Sequence, residues 1–212
     1  MSDIEIVEAN GTRILFDASK CIHSRNCVLS RPDVFVPNVQ GAWIHPERAT
    51  SEEVAELAHS CPSGAIRYQR LDGRPGEGAP RVNTIHVREN GPLAVHADLR
   101  LSGQEPIYRA TLCRCGASHK KPFCDGSHTA MGFQATGEPK TKPTSELQLR
   151  GGELKLVPMT DGPLAIEGPV EIVSGTGRTI NRTAKAALCR CGQSQNKPYC
   201  DGSHVAANFK SG

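Results

Sequence analysis

Apolar and polar positions alternate over two short runs near the start of the chain, IEIVE at residues 4–8 and TRILF at 12–16. Ala9-Asn10-Gly11 lies between them, and an Asn-Gly step between alternating runs predicts a β-hairpin. Further on, Thr50-Ser51-Glu52-Glu53 has the form of a capping box, and Val54, Leu57 and Ala58 follow at helical spacing. The predicted helix reaches Cys61-Pro62-Ser63-Gly64, where Pro and Gly stop it, and AIRY at 65–68 is the expected closing strand. LDGRPGEGAP at 71–80 loses all periodicity and reads as a linker. Beyond it, VNTIHV, LAVHADLRL and IYRATL predict short strands. LQLRGGELKLV at 147–157 predicts a hairpin turning at Gly-Gly, and PLAIEGPVEIV and RTAKAAL predict more strands.

This second half states one pattern twice. CRCGASHKKPFCDGSH runs from Cys113 to His128, and CRCGQSQNKPYCDGSH runs from Cys189 to His204. The copies start 76 residues apart (113 to 189), whereas Gly-Pro-Leu-Ala upstream recurs at 91–94 and 162–165, 71 residues apart. The repeat is therefore a whole β-rich unit, longer by about five residues in its second copy. The expected organisation is a domain over 1–70, a linker over 71–80, a first repeat unit over 81–140 and a second over 141–212, joined by EPKTKPTSE at 138–146. The expected class is α+β: a small N-terminal α+β domain, then a mainly β tandem unit packed about a pseudo-two-fold axis as an internal dimer.

Units this small bury little surface and usually need a staple. With aromatic residues at 4% the core is mainly aliphatic, and the nine cysteines are the candidate staple. An odd count fits a disulfide framework poorly, and Cys-x-Cys pairs would make strained disulfides but chelate a metal readily. Each repeat offers three thiolates and an imidazole: Cys113, Cys115, Cys124 and His128, then Cys189, Cys191, Cys200 and His204. Cysteines two apart on extended chain share a face, and a helical turn or a tight Asp-Gly turn does the same for a Cys and His four apart. Spacing alone leaves zinc and iron–sulfur both open. The remaining cysteines, Cys21, Cys27 and Cys61, form an N-terminal trio.

The net charge of +3 and pI of about 8.4 do not argue for nucleic acid. MSDIEIVEANG lacks a basic run followed by an apolar one, so no secretory leader is expected, and no stretch is apolar enough to span a membrane. A reducing cytoplasm, with thiols free for metal, is the expected location.

Two resemblances sharpen the metal reading. Cys21, Cys27, Pro-Asp-Val-Phe at 32–35 and a distant Cys61-Pro62 before Gly-Ala-Ile resemble single-cluster bacterial ferredoxins over about residues 1–70. In the usual four-cysteine version a further Cys stands where this chain has Ser24. The resemblance thus implies a [3Fe-4S] cluster on three thiolates, favoured by the missing ligand, or a [4Fe-4S] cluster with a weak fourth ligand from His23 or Ser24. The repeated stretch is similar, position by position, to the signature of the CDGSH iron–sulfur proteins, the mitoNEET-type family. Cys-x-Cys, Ser118 and Ser194, Pro122 and Pro198, and Cys-Asp-Gly-Ser-His are complete in both copies. That resemblance implies a [2Fe-2S] cluster on each Cys3His set.

Replacing one thiolate by neutral imidazole leaves an oxidised two-iron cluster near a formal charge of about −1 rather than about −2, which raises its potential. A ligand His that can be protonated when its iron bond breaks also makes such a cluster acid-labile. The expected function is one-electron transfer without catalysis, because every cysteine has a ligand role. The expected partner is a redox protein or an apo iron–sulfur acceptor, with no nucleic acid, no membrane and a monomeric chain. The alternatives are [2Fe-2S] transfer, storage or redox-iron sensing, and a zinc-bound interaction module. Asp125 and Asp201 are expected to cap the following turn, and Gly126 and Gly202 to let the chain approach the cluster. Arg114, Lys120, Lys121, Arg190 and Lys197 are expected to supply positive charge and a docking face for an acidic partner. His45, His59, His86, His96 and His119 read as surface or packing residues, and Trp43 as core.

Overall fold

The computed structural model describes residues 4–101, 103–144 and 146–211. Met1–Asp3 of the N-terminal run and Ser145 of the 138–146 connector lie outside them. The chain divides into two compact units, Met1–Gly78 and Ala79–Gly212.

The first unit is an antiparallel sheet of β1 (Ile4–Ala9), β2 (Thr12–Asp17) and β3 (Ile66–Arg70), in that order, with β2 central. Asn10 and Gly11 turn the hairpin with φ of 50° and 70°, the two positive angles of a tight primed turn. A short helix, α1 (Asn26–Ser30), packs on a longer one, α2 (Ser51–Ser60), which lies against β3 and β2. Thr50 caps α2 as the sequence predicts: its hydroxyl accepts the Glu53 N–H, and the Glu53 carboxylate accepts the Thr50 N–H at 2.8 Å. Val54, Leu57 and Ala58 are buried on its inner face, in one core with Ile14, Phe35 and Ile66.

The second unit is a six-stranded sheet built from two equivalent strand triplets. The first copy contributes β4 (Thr84–Val87), β5 (Leu93–Leu101) and β6 (Ile107–Leu112); the second contributes β7 (Glu153–Pro158), β8 (Leu164–Val173) and β9 (Thr179–Leu188). Within each copy neighbours are antiparallel, β4 with β5 with β6 and β7 with β8 with β9. Between copies the pairing is parallel and reciprocal. Thr84–His86 of β4 pairs with Glu171–Val173 of β8, and Asp98–Leu101 of β5 pairs with Glu153–Leu156 of β7. Each long strand therefore changes partner midway, from its own copy to the other, at an irregularity between His96 and Leu99 in β5 and between Glu167 and Val170 in β8. These positions are equivalent in the repeat, so the pairing has the pseudo-two-fold symmetry that the repeat implies. The extra residues of copy two fall mostly in β9, ten residues long where β6 has six.

The hairpin predicted over 147–157 does not form. Only β7 is a strand; Leu149 is exposed, and Gly151 packs so tightly on the Arg81 carbonyl that a Cβ there would lie 2.6 Å from it. β7 takes its partners from β8 and, across the copies, from β5 instead. Buried Asn83 locks this exchange: its amide donates to the carbonyls of Gly152 (2.8 Å) and Pro169 (2.9 Å), and its side-chain oxygen accepts the Asp98 N–H. Both donors and the acceptor of the amide are thus used inside the protein.

Leu99 is fully buried where β5 passes to its second partner. Leu99→Ala should destabilise this unit by roughly 2–5 kcal/mol, read from its urea midpoint; a loss below about 1 kcal/mol would show that the exchange point is not a packed core.

Candidate metal centres

In each repeat the last strand delivers the first cysteine, and the chain then loops back along that strand's end. Leu112 bridges Phe123, the Cys113 N–H donates to the Pro122 carbonyl (2.8 Å), and the Cys124 N–H donates to the Thr111 carbonyl (2.8 Å). Copy two repeats this with Leu188 and Tyr199, Cys189 and Pro198 (2.8 Å), and Cys200 and Ala187 (2.9 Å). The intervening loop is closed by a buried serine. The Ser118 hydroxyl donates to the Phe123 carbonyl at 2.6 Å, and that of Ser194 to the Tyr199 carbonyl at 2.7 Å. The third cysteine returns beside the first two for that reason.

The four donors of each repeat come together as two pairs. Cys113 Sγ lies 3.7 Å from Cys115 Sγ, and Cys124 Sγ lies 3.4 Å from His128 Nδ1. Cys189 with Cys191 and Cys200 with His204 repeat both distances, 3.7 and 3.4 Å. Two sulfurs on one tetrahedral metal sit about 3.7 Å apart, and a sulfur and a nitrogen about 3.5 Å. Each pair thus spans one edge of one tetrahedron. Among the described residues, no three His, Cys, Asp or Glu side chains converge as they would on a single ion. Two half-sites per repeat fit a two-iron group.

The surroundings stabilise anionic sulfur. The Ala117 N–H donates to Cys115 Sγ and the Gly126 N–H to Cys124 Sγ, each at 3.4 Å; Gln193 and Gly202 do the same for Cys191 and Cys200. Cys113 and Cys115 share a hydrogen bond that pushes the first thiol down and the second up. Burial pushes Cys124 up to about 11 and pushes the His128 imidazole down, toward the neutral form that binds metal.

Asp125 clips the loop to the turn that carries His128. One carboxylate oxygen accepts the N–H (3.0 Å) and hydroxyl (2.6 Å) of Ser127, and the other accepts the His119 N–H at 2.8 Å. Asp201 makes the same bonds to Ser203 and Gln195. These donors hold both carboxyls well below their usual range. Gly126 and Gly202 precede the short helices α3 (Ser127–Ala130) and α4 (Ser203–Ala206) with φ of 87° and 89°, and no protein atom lies within 4 Å of where a Cβ would be. That backbone conformation favours glycine.

The expected basic docking face is corrected. Arg114 is 1% exposed, and its guanidinium donates to the carbonyls of Gly91 (3.0 Å), Thr136 (3.0 Å), Ala135 (3.2 Å) and Arg88. Arg190 is equally buried, on the carbonyls of Gly162 (3.0 Å) and Met159. Both pin the donor loop to the turn before the long strand of their own copy. Lys121 and Lys197 reach the carbonyls of Ser118 and Ser194. Only Lys120 of the five is an exposed residue. The alternation of charge with cysteine in Cys-Arg-Cys carries no sign that the charge turns inward.

In the first unit, Cys21, Cys27 in α1 and Cys61 at the end of α2 line one cavity of about 250 Å³. The Asn26 amide donates to the Ser60 carbonyl at 2.8 Å, holding the two cysteine-bearing segments together. His23 and Ser24, the two candidate fourth ligands, line the same cavity, with His23 Nδ1 4.0 Å from Cys21 Sγ. Burial raises the Cys21 and Cys27 thiols. Trp43 also lines it, edge-on to Phe16 at 4.8 Å with its indole N–H on Glu5, so it is cavity wall as well as core. Buried Ser63, 3.6 Å from Cys61 Sγ, was not singled out by pattern; its position two residues after that cysteine is the available signal. Of the solitary histidines, His45 faces Glu47, His59 packs on Tyr68, and exposed His119 faces Asp125.

The iron-binding zinc finger CDGSH-type family matches residues 90–129 and 161–205, and the divergent 4Fe-4S mono-cluster family matches residues 8–71. A CDGSH iron-sulfur domain-containing protein 1 from Bos taurus is 37% identical over 67 residues, 31% of this chain and 58% of that protein. A CDGSH iron-sulfur domain-containing protein 2 homolog from Drosophila virilis is 56% identical over 32 residues, 15% of this chain and 24% of that protein. The matched stretch thus spans little more than half of the bovine relative and a quarter of the insect one. Among the described residues no helix is long and apolar enough to cross a membrane.

Arg114→Met should remove the guanidinium donor from the carbonyls of Gly91, Thr136, Ala135 and Arg88, the last two of which keep a backbone N–H. The expected cost is roughly 3 kcal/mol in urea unfolding, with iron lost first from the copy-one site. Wild-type stability and full iron content in this variant would return Arg114 to the role of a dispensable surface charge.

Proposed function

We propose that this chain, in which a divergent 4Fe-4S mono-cluster segment precedes two CDGSH-type iron-binding segments, is a non-catalytic one-electron carrier. In this reading Cys113, Cys115, Cys124 and His128 hold one [2Fe-2S] cluster, and Cys189, Cys191, Cys200 and His204 hold a second. Cys21, Cys27 and Cys61 hold a [3Fe-4S] cluster, or a [4Fe-4S] cluster with His23 or Ser24. The observation that carries the reading is the two-plus-two grouping of donors, repeated to the same distances in both copies.

Clusters of this kind, when bound, take up and return single electrons at potentials set by ligand charge, hydrogen bonds to sulfur and exposure. The chain's own residues supply those settings. Four backbone N–H groups donate to ligand sulfurs and favour added negative charge. Buried Cys113, Cys115, Cys189 and Cys191 keep one side of each site dry, while half-buried His128 and His204 bring the other side to the surface, where electrons can enter or leave. In this reading all nine cysteines are ligands, so no thiol is left for covalent catalysis. The partner in this reading is another redox protein.

The half-buried histidine side favours a second reading, delivery of a whole [2Fe-2S] unit to an apo acceptor, because a neutral ligand that reaches the surface is the first to be released. Anaerobic potentiometry with electron paramagnetic resonance separates the two. Electron transfer predicts repeated reduction and reoxidation with iron and sulfide retained, and His128→Cys should lower the potential of the copy-one site by adding a thiolate charge. Loss of clusters on cycling, with their recovery on an added apo-ferredoxin, would favour delivery.

A further inference from the structure

The residue after the second cysteine of each motif lies against the other motif. At Gly116 a Cβ would come 2.7 Å from the Cys191 carbonyl oxygen, and at Gly192 one would come 2.4 Å from the Cys115 carbonyl oxygen. Both glycines have positive φ, +90° and +79°. No side chain fits either position, so glycine lets the backbone of each Cys-x-Cys rest on the other's. The charges cross as well. Arg114 is within electrostatic reach of Cys189 in the second motif as well as Cys115 in its own, and Arg190 is within reach of Cys113. Phe209 of copy two is contacted by Arg190 at 5.6 Å and by Lys121 of copy one at 5.9 Å. The two donor sets thus meet at one cation-lined junction, where Gly116 rests on the Cys191 backbone and Gly192 on that of Cys115.

We propose that Gly116 and Gly192 join the two CDGSH-type centres into one coupled pair, in which an electron on either centre can pass to the other and makes the other harder to reduce. The proposal rests on the iron–sulfur reading above. The exchange is a one-electron step: one centre is oxidised as the other is reduced, and no bond forms or breaks. An added electron is felt across the junction because the two Cys-x-Cys backbones are in contact, and because each buried guanidinium lies within electrostatic reach of the other copy's cysteine.

The test is an anaerobic potentiometric titration of the full-length holoprotein with dithionite, following the paramagnetic signals of the His-ligated centres. The wild type is compared with Cys124→Ser and Cys200→Ser chains, each keeping one such centre. Coupling predicts that each lone centre reduces in a single step, and that at least one sits roughly tenfold from its position in the paired chain, within the usual range of site–site coupling. Gly192→Ala, with iron and sulfide at wild-type content, should move the paired curve toward the superposition of the two lone-centre curves. It should also shift the signal of the copy-one centre, none of whose ligands has changed. A wild-type curve equal to that superposition, with iron and sulfide complete, overturns the coupling and leaves the electron-carrier reading standing. Absence of acid-labile sulfide at the two sites overturns both.

Discussion

Neither repeat of the second unit can finish its own sheet. β5 and β8 each run past their antiparallel partner and, beyond a local irregularity, can satisfy their outer edge only on a strand of the other copy. An unpaired strand edge exposes a row of hydrogen-bonding groups, so the reciprocal parallel pairing is the constraint on which the unit depends. Ile85, Leu99, Leu154 and Ile172 all sit in the single core that results. The donor loops leave this sheet from β6 and β9, which flank the exchanged strands, so the exchange fixes where both sites stand.

Local ties then convert sheet position into ligand position. A returning segment bonded to the end of the last strand sets the third cysteine, a buried serine closes the loop, and an aspartate clips the histidine turn. A buried arginine fastens the whole loop to its copy's first turn. These bonds involve protein atoms alone, so much of the donor geometry is organised by the chain itself. That is the condition for low reorganisation when only charge changes. Burial pushes the Arg114 guanidinium down to about 10, still protonated at neutral pH, and the carbonyls that accept its N–H groups make that burial tolerable.

Much of this was legible in residue order. Period-two runs found β1, β2, β4 and β5, the Thr50 box found α2, and spacing named the candidate donors. What failed depends on partners distant in the chain. Gly-Gly at 151–152 resembles a hairpin turn until Gly151 meets the Arg81 carbonyl, and a parallel partner for β7 leaves no trace in its own alternation. Arg114 reads as surface charge because charge usually lies outside, and only the carbonyls around it say otherwise. Spacing names four donors but cannot divide them two and two; that division appears only when the return segment is in place. Gly116 and Gly192 mean nothing singly, since each is needed by the other copy.

The central claim is that each Cys3His set is a binuclear holder. Native mass spectrometry of anaerobically isolated full-length chain, with parallel sulfide analysis, tests it most directly. The account predicts a mass increment of two iron and two sulfide at each set, each abolished separately by Cys115→Ser and Cys191→Ser. One zinc per set, with no acid-released sulfide, would contradict it.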